Sequence, residues 1–143
     1  MKNLLYIFAI VLLTSFKVSD NAEKEINWIT LEEAIELQKE EPRKIIMDVY
    51  TNWCGPCKML DKHTFHNEDV VDYVNKHYYA VKFNAEGNAS VTYKDKTFSN
   101  PNYNPANANR RNSAHEFSRY LQVRAHPSMV FFDESANVIA PPI

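Results

Sequence analysis

Lys44-Ile45-Ile46-Met47-Asp48-Val49-Tyr50 leads through Thr51-Asn52 into Trp53-Cys54-Gly55-Pro56-Cys57-Lys58. The first run is short and apolar, bounded by Pro42 on one side and a polar turn on the other. Its continuous hydrophobicity predicts a central strand buried on both faces, interrupted only by Asp48. The cysteine segment follows at once, where a buried strand hands the chain to a helix. The spacing puts both sulfurs on the first helical turn, close enough to bond and part repeatedly. A helix N-terminus offers free amide donors and partial positive charge, which favour a thiolate. Pro56 fits there because a first-turn amide has no helical partner to lose. The thiolate is the nucleophile of disulfide exchange, so this placement suits redox chemistry.

Two other readings of the pair stand beside that one. Zinc is the first, with His63 and His66 completing a Cys2His2 set by count. The spacing is wrong for the usual finger, since all four would lie on one helix and its leading turn. An inert buried pair is the second. As a structural staple it would close a tiny loop and remove little entropy from the unfolded chain.

Outward from the motif, Thr30-Leu31-Glu32-Glu33 has the form of a capping box. The helix it opens carries Leu31, Ala34, Ile35 and Leu37 on one face and ends near Glu41-Pro42. Downstream, Lys58–Lys62 continues as helix, and a second helical stretch carries Val70, Val71, Val74 and Tyr78. Tyr79–Asn84 reads as a second strand. Residues 86–112 look irregular and recur in Asn, Pro, Tyr and Lys, and so long a loop is usually functional or mobile. Its tyrosine-rich part, Tyr93 to Tyr103, reads either as a substrate-facing flap or as a disordered insertion. Ser113-Ala114-His115-Glu116 offers another capping box, with a short helix through Tyr120. Ser128–Phe132 reads as a strand, Asp133–Asn137 as a hairpin turn and Val138–Ala140 as its partner. Helices alternating with strands imply a layered α/β domain, and the final adjacent pair makes the sheet mixed.

The chain has 143 residues, the size of one domain plus a short leader. Hydrophobic residues make up 45% and charged residues 24%, leaving a formal net charge of −2. No basic stripe is present to displace counterions from phosphates, so nucleic acid is not an expected partner. Met1-Lys2-Asn3 is basic, and Leu4 to Leu13 is unbroken apolar. Such a stretch spans about 15 Å of helix, roughly half a bilayer, which suits a secretory signal better than a membrane span. Residues 1–22 are therefore expected to be a signal peptide, or an uncleaved N-terminal anchor, with a polar tether. Export, periplasmic or otherwise extracytoplasmic, places the cysteines in an oxidising compartment.

The sequence resembles the thioredoxin superfamily over almost everything after the leader. Trp53 to Lys58 is identical to that family's best-known active-site motif. Asp48 stands six residues before Cys54, where the family keeps a buried carboxylate, and Lys82 matches the lysine beside it. Pro127, in Ala125-His126-Pro127-Ser128, matches the cis-proline that faces the cysteines. Within the superfamily the chain is similar to the C-terminal thioredoxin-like domain of the disulfide reductase DsbD. That likeness rests on Asp48–Cys54, Lys62-His63-Thr64-Phe65, Val70 and Val81-Lys82-Phe83-Asn84.

The resemblance implies an α/β thioredoxin fold over residues 23–143, with a mixed central sheet flanked by helices and a long insertion before the cis-proline. The helix that ends such a fold is not evident before Pro141-Pro142-Ile143, so the domain is expected to be C-terminally incomplete. Cys54, expected to be the more exposed cysteine, should attack a substrate sulfur, and Cys57 should resolve the mixed disulfide. Asp48, costly to bury ionised, becomes a candidate proton acceptor for Cys57, or else a plain structural partner of Lys82. Trp53 is expected to pack beside the disulfide, with Gly55, Pro56, His126 and Pro127 meeting the substrate. A cationic His126 would stabilise the Cys54 thiolate and make the centre more oxidising; a surface histidine without a role is the alternative. Pro127 reads as cis, or as an ordinary trans turn proline. Trp28, His63, His66 and His115 read as core or surface residues.

The implied activity is thiol–disulfide oxidoreduction on protein thiols and disulfides, by a monomer. It needs no metal and no cofactor beyond the Cys54–Cys57 disulfide. The Gly-Pro dipeptide resembles that of reducing thioredoxins, at about −270 mV, more than that of oxidants at about −120 mV. A reductase outside the cytoplasm would draw on a membrane thiol electron donor. The alternatives are an oxidase or isomerase of exported proteins, or a non-catalytic binding module.

Overall fold

In the computed structural model, which describes residues 24–143, the apolar run becomes strand β2 (Lys44–Tyr50) at the centre of a four-stranded sheet. Its neighbours are β3 (Tyr78–Asn84), parallel and in register as Asp48↔Lys82, and β6 (Ser128–Phe132), antiparallel as Val49↔Ser128. A two-residue strand, β1 (Trp28–Ile29), adds parallel to the far edge of β3, giving the order β1-β3-β2-β6. Trp28, read as a core or surface residue, belongs to the sheet, and a two-residue strand is too short to leave a periodic signal.

Period-two alternation sorts the side chains of β2 onto two faces. Ile45, Met47 and Val49 join the larger core with Val81 and Phe83 of β3 and Val130 and Phe132 of β6. Helix α1 (Leu31–Leu37) and helix α4 (Glu116–Tyr120) cover that face through Leu31, Ala34 and Phe117. The capping box at the start of α1 forms as expected, Thr30 and Glu33 bonding each other's backbone amides. On the opposite face Ile46 meets Phe65, Val71 and Val74, carried by a π-turn (Asp61–Phe65) and helix α3 (Glu68–His77). Asp48 shares the face of Ile46, and helix α2 (Gly55–Leu60) runs into the π-turn on that side. The result is the mixed α/β sheet flanked by helices that the sequence implied.

The 86–112 stretch departs from its irregular reading. Val91–Tyr93 (β4) and Lys96–Phe98 (β5) form an antiparallel hairpin, turning through Lys94 and Asp95 at φ 50° and 60°. Positive φ at both turn residues matches the right-handed twist of the flanking strands. Three-residue strands fall below the length at which alternation is readable. Nor is Tyr93 part of a flap or a disordered stretch. It is buried at 2% exposure, packs on Phe117 and Phe132, and donates its hydroxyl to the Ala136 carbonyl at 2.7 Å.

Two terminal details also differ from expectation. The cap of α4 is His115, whose Nδ1 accepts the Phe117 amide at 3.1 Å, and not Ser113. Glu116 turns outward to the Ser99 amide at 2.8 Å instead of closing a box. After the Asp133–Asn137 turn, the tail touches β6 only intermittently. Val138 bridges Phe132, Ile139 donates to Phe131, and Ile143 exchanges both bonds with Met129. Pro141 and Pro142 lack the amides that would make this a continuous strand.

Candidate active site

The site begins where β2 ends. Thr51 turns the chain by accepting the Cys54 amide at 3.2 Å, and Cys54 then caps α2. Its backbone is extended, at φ −73° and ψ 107°, so its side chain bends over the first helical turn. Cys54 and Cys57 are joined as a disulfide, with Cα atoms 5.3 Å apart. The Cys57 amide donates to the Cys54 sulfur at 3.1 Å. In this oxidised state Cys54 is 3% exposed and Cys57 6%, so accessibility does not single out Cys54 as expected. Hydrogen bonding does, because the first-turn amide aims at the Cys54 sulfur and stabilises negative charge there. Gly55 and Pro56 lie exposed beside it, and nothing stands within 4 Å of the position a Gly55 Cβ would take.

Behind the disulfide, Asp48, Thr51, Cys57, Asp61 and Lys82 line a cavity of about 220 Å³. Asp48 is 2% exposed, and its Oδ1 has no hydrogen-bond partner among the described residues. Burial pushes its carboxyl up to about 6; Lys82 pulls it down and Asp61 pushes it further up. The Thr51 hydroxyl in the same cavity is also without a partner among the described residues. A polar cavity this size has room for water between Asp48 and Cys57.

Lys82 does not form the direct pair with Asp48 that the sequence suggested. Its ammonium bonds Asp61 and lies 5.0 Å from the Trp28 ring centroid. The reason is register. Asp48 and Lys82 are lateral neighbours, and Asp61, four residues after Cys57 on the overlying helix, reaches the flexible lysine tip. Sequence reading passed over Asp61, although its spacing from Cys57 places it one turn along the same helical face.

On the other side of β2, the antiparallel register brings the start of β6 beside the cysteine loop. The His126–Pro127 bond is cis, as the resemblance implied. The His126 imidazole is half-buried and its Nδ1 has no partner among the described residues. Burial lowers its pKa against the pull of Glu86 and of the Val49 backbone. In this oxidised state, which holds no thiolate, burial outweighs the pull of Glu86 on the ring; the expected contact between a cationic His126 and a Cys54 thiolate belongs to the reduced enzyme.

Trp53, immediately before Cys54, donates its indole N–H to Glu86 Oε2 at 2.7 Å, and the Arg111 guanidinium lies 4.9 Å from its ring centroid. Neither partner was singled out from sequence, because both lie in the stretch that carried no periodic signal. His63 and His66 are exposed, and among the described residues no three His, Cys, Asp or Glu side chains converge as a metal site.

Residues 31–141 match a family model described as a thioredoxin-like domain. Among solved structures, the chain is similar to the oxidoreductase DsbH, at 18% identity and a TM-score of 0.58, over all of this chain and 81% of that one. A thioredoxin from Thermus thermophilus superimposes with a TM-score of 0.56 at 13% identity, over 83% of this chain and 75% of that one. A disulphide isomerase from Xylella fastidiosa Temecula1 gives 0.51 at 18% identity, over 76% and 67%. At such identities the likeness carries the fold. No curated protein matches the sequence.

Proposed function

The chain belongs to the thioredoxin-like domain family, and from that premise we propose that its thiol–disulfide oxidoreductase activity reduces protein disulfides outside the cytoplasm. The observation that carries the mechanism is the division of labour between the two sulfurs. Cys54 accepts the first-turn amide, and Cys57 faces the cavity that holds Asp48.

In the reduced enzyme, the Cys54 thiolate attacks one sulfur of a substrate disulfide. The new Cys54–substrate bond forms as the substrate S–S bond breaks, and the other substrate sulfur leaves as a thiolate that takes a proton from solvent. Cys57 then passes its proton through the cavity to the Asp48 carboxylate and attacks Cys54. This forms the Cys54–Cys57 disulfide and expels the second substrate thiolate, which is protonated in turn. Two electrons and two protons thus pass to the substrate. A carboxyl with a pKa near 6 is well matched to accept a thiol proton near neutral pH. Lys82 and Asp61 tune that value from opposite directions. Open space over Gly55 and the cis-Pro127 loop beside the site would admit an extended substrate segment.

The reducing direction is supported by the Gly55-Pro56 dipeptide, and the location by the basic and apolar character of residues 1–22. Those leader residues lie outside the described part of the structure. A reductase in an oxidising compartment draws its electrons from a membrane thiol donor in this reading. Equilibrating the Cys54–Cys57 pair against glutathione or dithiothreitol buffers tests the direction. A potential near about −270 mV is expected, and one well above the glutathione range would overturn the reductive assignment. Protease protection of the tagged protein in intact cells, lost on opening the envelope, is the outcome expected for export.

A further inference from the structure

The segment after the hairpin has a consequence for which disulfides the enzyme prefers. It is fastened to the active-site loop at several points. The Ala108 carbonyl accepts the Asn52 side-chain amide at 2.8 Å. The Asn112 backbone amide donates at 2.8 Å to Glu86 Oε2, the same oxygen that holds the Trp53 indole. Asn104 and Asn112 exchange two further bonds at 2.9 and 2.8 Å, which close residues 104–112 into a ring. Asn100, only 8% exposed, anchors the base by donating to the Gly87 and Ser113 carbonyls. Arg111 is thus carried by a braced backbone, and its guanidinium is laid on the indole next to Cys54.

Arg111 and Arg110 are exposed, and among the described residues neither forms an ion pair. Lys58, on α2, is exposed and positive, and Glu86 keeps its negative charge while its Oε2 accepts from Trp53 and Asn112. The segment thus brings Arg111, a cation without an ion pair among the described residues, to the indole beside the disulfide, although the whole chain carries a net charge of −2.

We infer that Arg111 is a specificity-determining residue that favours protein disulfides flanked by acidic side chains. The inference rests on the reductase reading above. A guanidinium held over an indole keeps N–H donors free for a carboxylate, which Arg can hold with two parallel bonds. Like charge on a basic substrate would be disfavoured at the same position.

The test uses the full protein in its reduced form and three disulfide peptides of one sequence, flanked by aspartate, by serine or by lysine. The wild type is expected to reduce the acidic peptide about fivefold faster than the basic one, the size of one exposed ion pair, with the gap narrowing in 1 M salt. Arg111→Gln should remove the preference and Arg111→Glu should reverse it, each read as the ratio of the acidic-peptide rate to the basic-peptide rate. Equal wild-type rates on all three peptides, or an acidic preference that survives Arg111→Gln, overturn the specificity and leave the reductase reading intact. A serine peptide that the reduced wild type fails to reduce overturns that reading, and the specificity with it.

Discussion

Asp48→Asn separates an ionising buried carboxylate from a merely polar one. The folded pKa of about 6 lies above the ordinary 3.8, a difference that corresponds to about 3 kcal/mol at about 1.4 kcal/mol per pH unit. Because the folded value is raised, the protonated carboxyl is the favoured native form. Its relative stability is full below pH 3.8 and is lost as pH rises through 6. Integrated from pH 4 to pH 8, wild type should lose about 2.4 kcal/mol that the non-titrating asparagine keeps. The asparagine amide adds its own cost of about 1–3 kcal/mol, since Oδ1 already lacks a partner, but that cost does not vary with pH. The quantity to measure is therefore the change with pH in the stability gap between the two oxidised proteins. Urea unfolding followed by tryptophan fluorescence at pH 4, 6 and 8 provides it. At a slope of about 1.2 kcal/mol/M, the midpoint of the variant should advance on wild type by about 2 M across that range. A gap constant to within about 0.5 kcal/mol would show that Asp48 ionises as if in water, and the proton-acceptor role would fall with it.

Cys57→Ser should accumulate a mixed disulfide between Cys54 and substrate, visible by intact mass, whereas Cys54→Ser should trap none. Because Asp61 raises and Lys82 lowers the Asp48 pKa, Asp61→Asn should move the pH midpoint of the resolving step down and Lys82→Met should move it up; shifts of one sign in both would refute the tuning. His115 is wholly buried with its pKa lowered by burial, its Nδ1 accepting from Phe117 and its Nε2 bonded to Ala89 at 2.8 Å. The stability it contributes is thus present above its unfolded pKa of about 6.5 and lost as pH falls through the folded value, and its imidazole signals in an NMR titration should move only below 6.5. Phe117, at 0% exposure, meets Phe83, Tyr93 and Phe98, so Phe117→Ala should lower stability by about 3–5 kcal/mol in thermal or urea melts.

The chemistry was written locally and could be read locally. A buried strand, a turn, and two cysteines across a proline occupy consecutive residues, and their geometry follows from strand and helix periods alone. The lone carboxylate in β2 was equally legible, because an ionisable group in an apolar run is an exception wherever it occurs. The capping box at Thr30 formed as read, being closed within four residues. Local signals had a limit even so. The hairpin at Val91–Phe98 was missed because each strand is three residues long, and Ser113 lost the cap to His115 because the Glu116 carboxylate bonds Ser99 instead.

Sequence by itself determined the alternation of helix and strand, the redox pair, and the carboxylate and proline that serve it. Tertiary structure alone decided who meets whom. Lys82 reaches Asp61 and not Asp48 because the π-turn that carries Asp61 overlies the strand at that register, and desolvation lowers the His126 pKa beside the cysteine loop. Glu86 and Asn112 stand 26 residues apart yet share one hydrogen bond, and with it they brace Arg111 against Trp53. Those outcomes depend on distances through space and on exclusion of water, and neither quantity is carried by the spacing of residues along a chain.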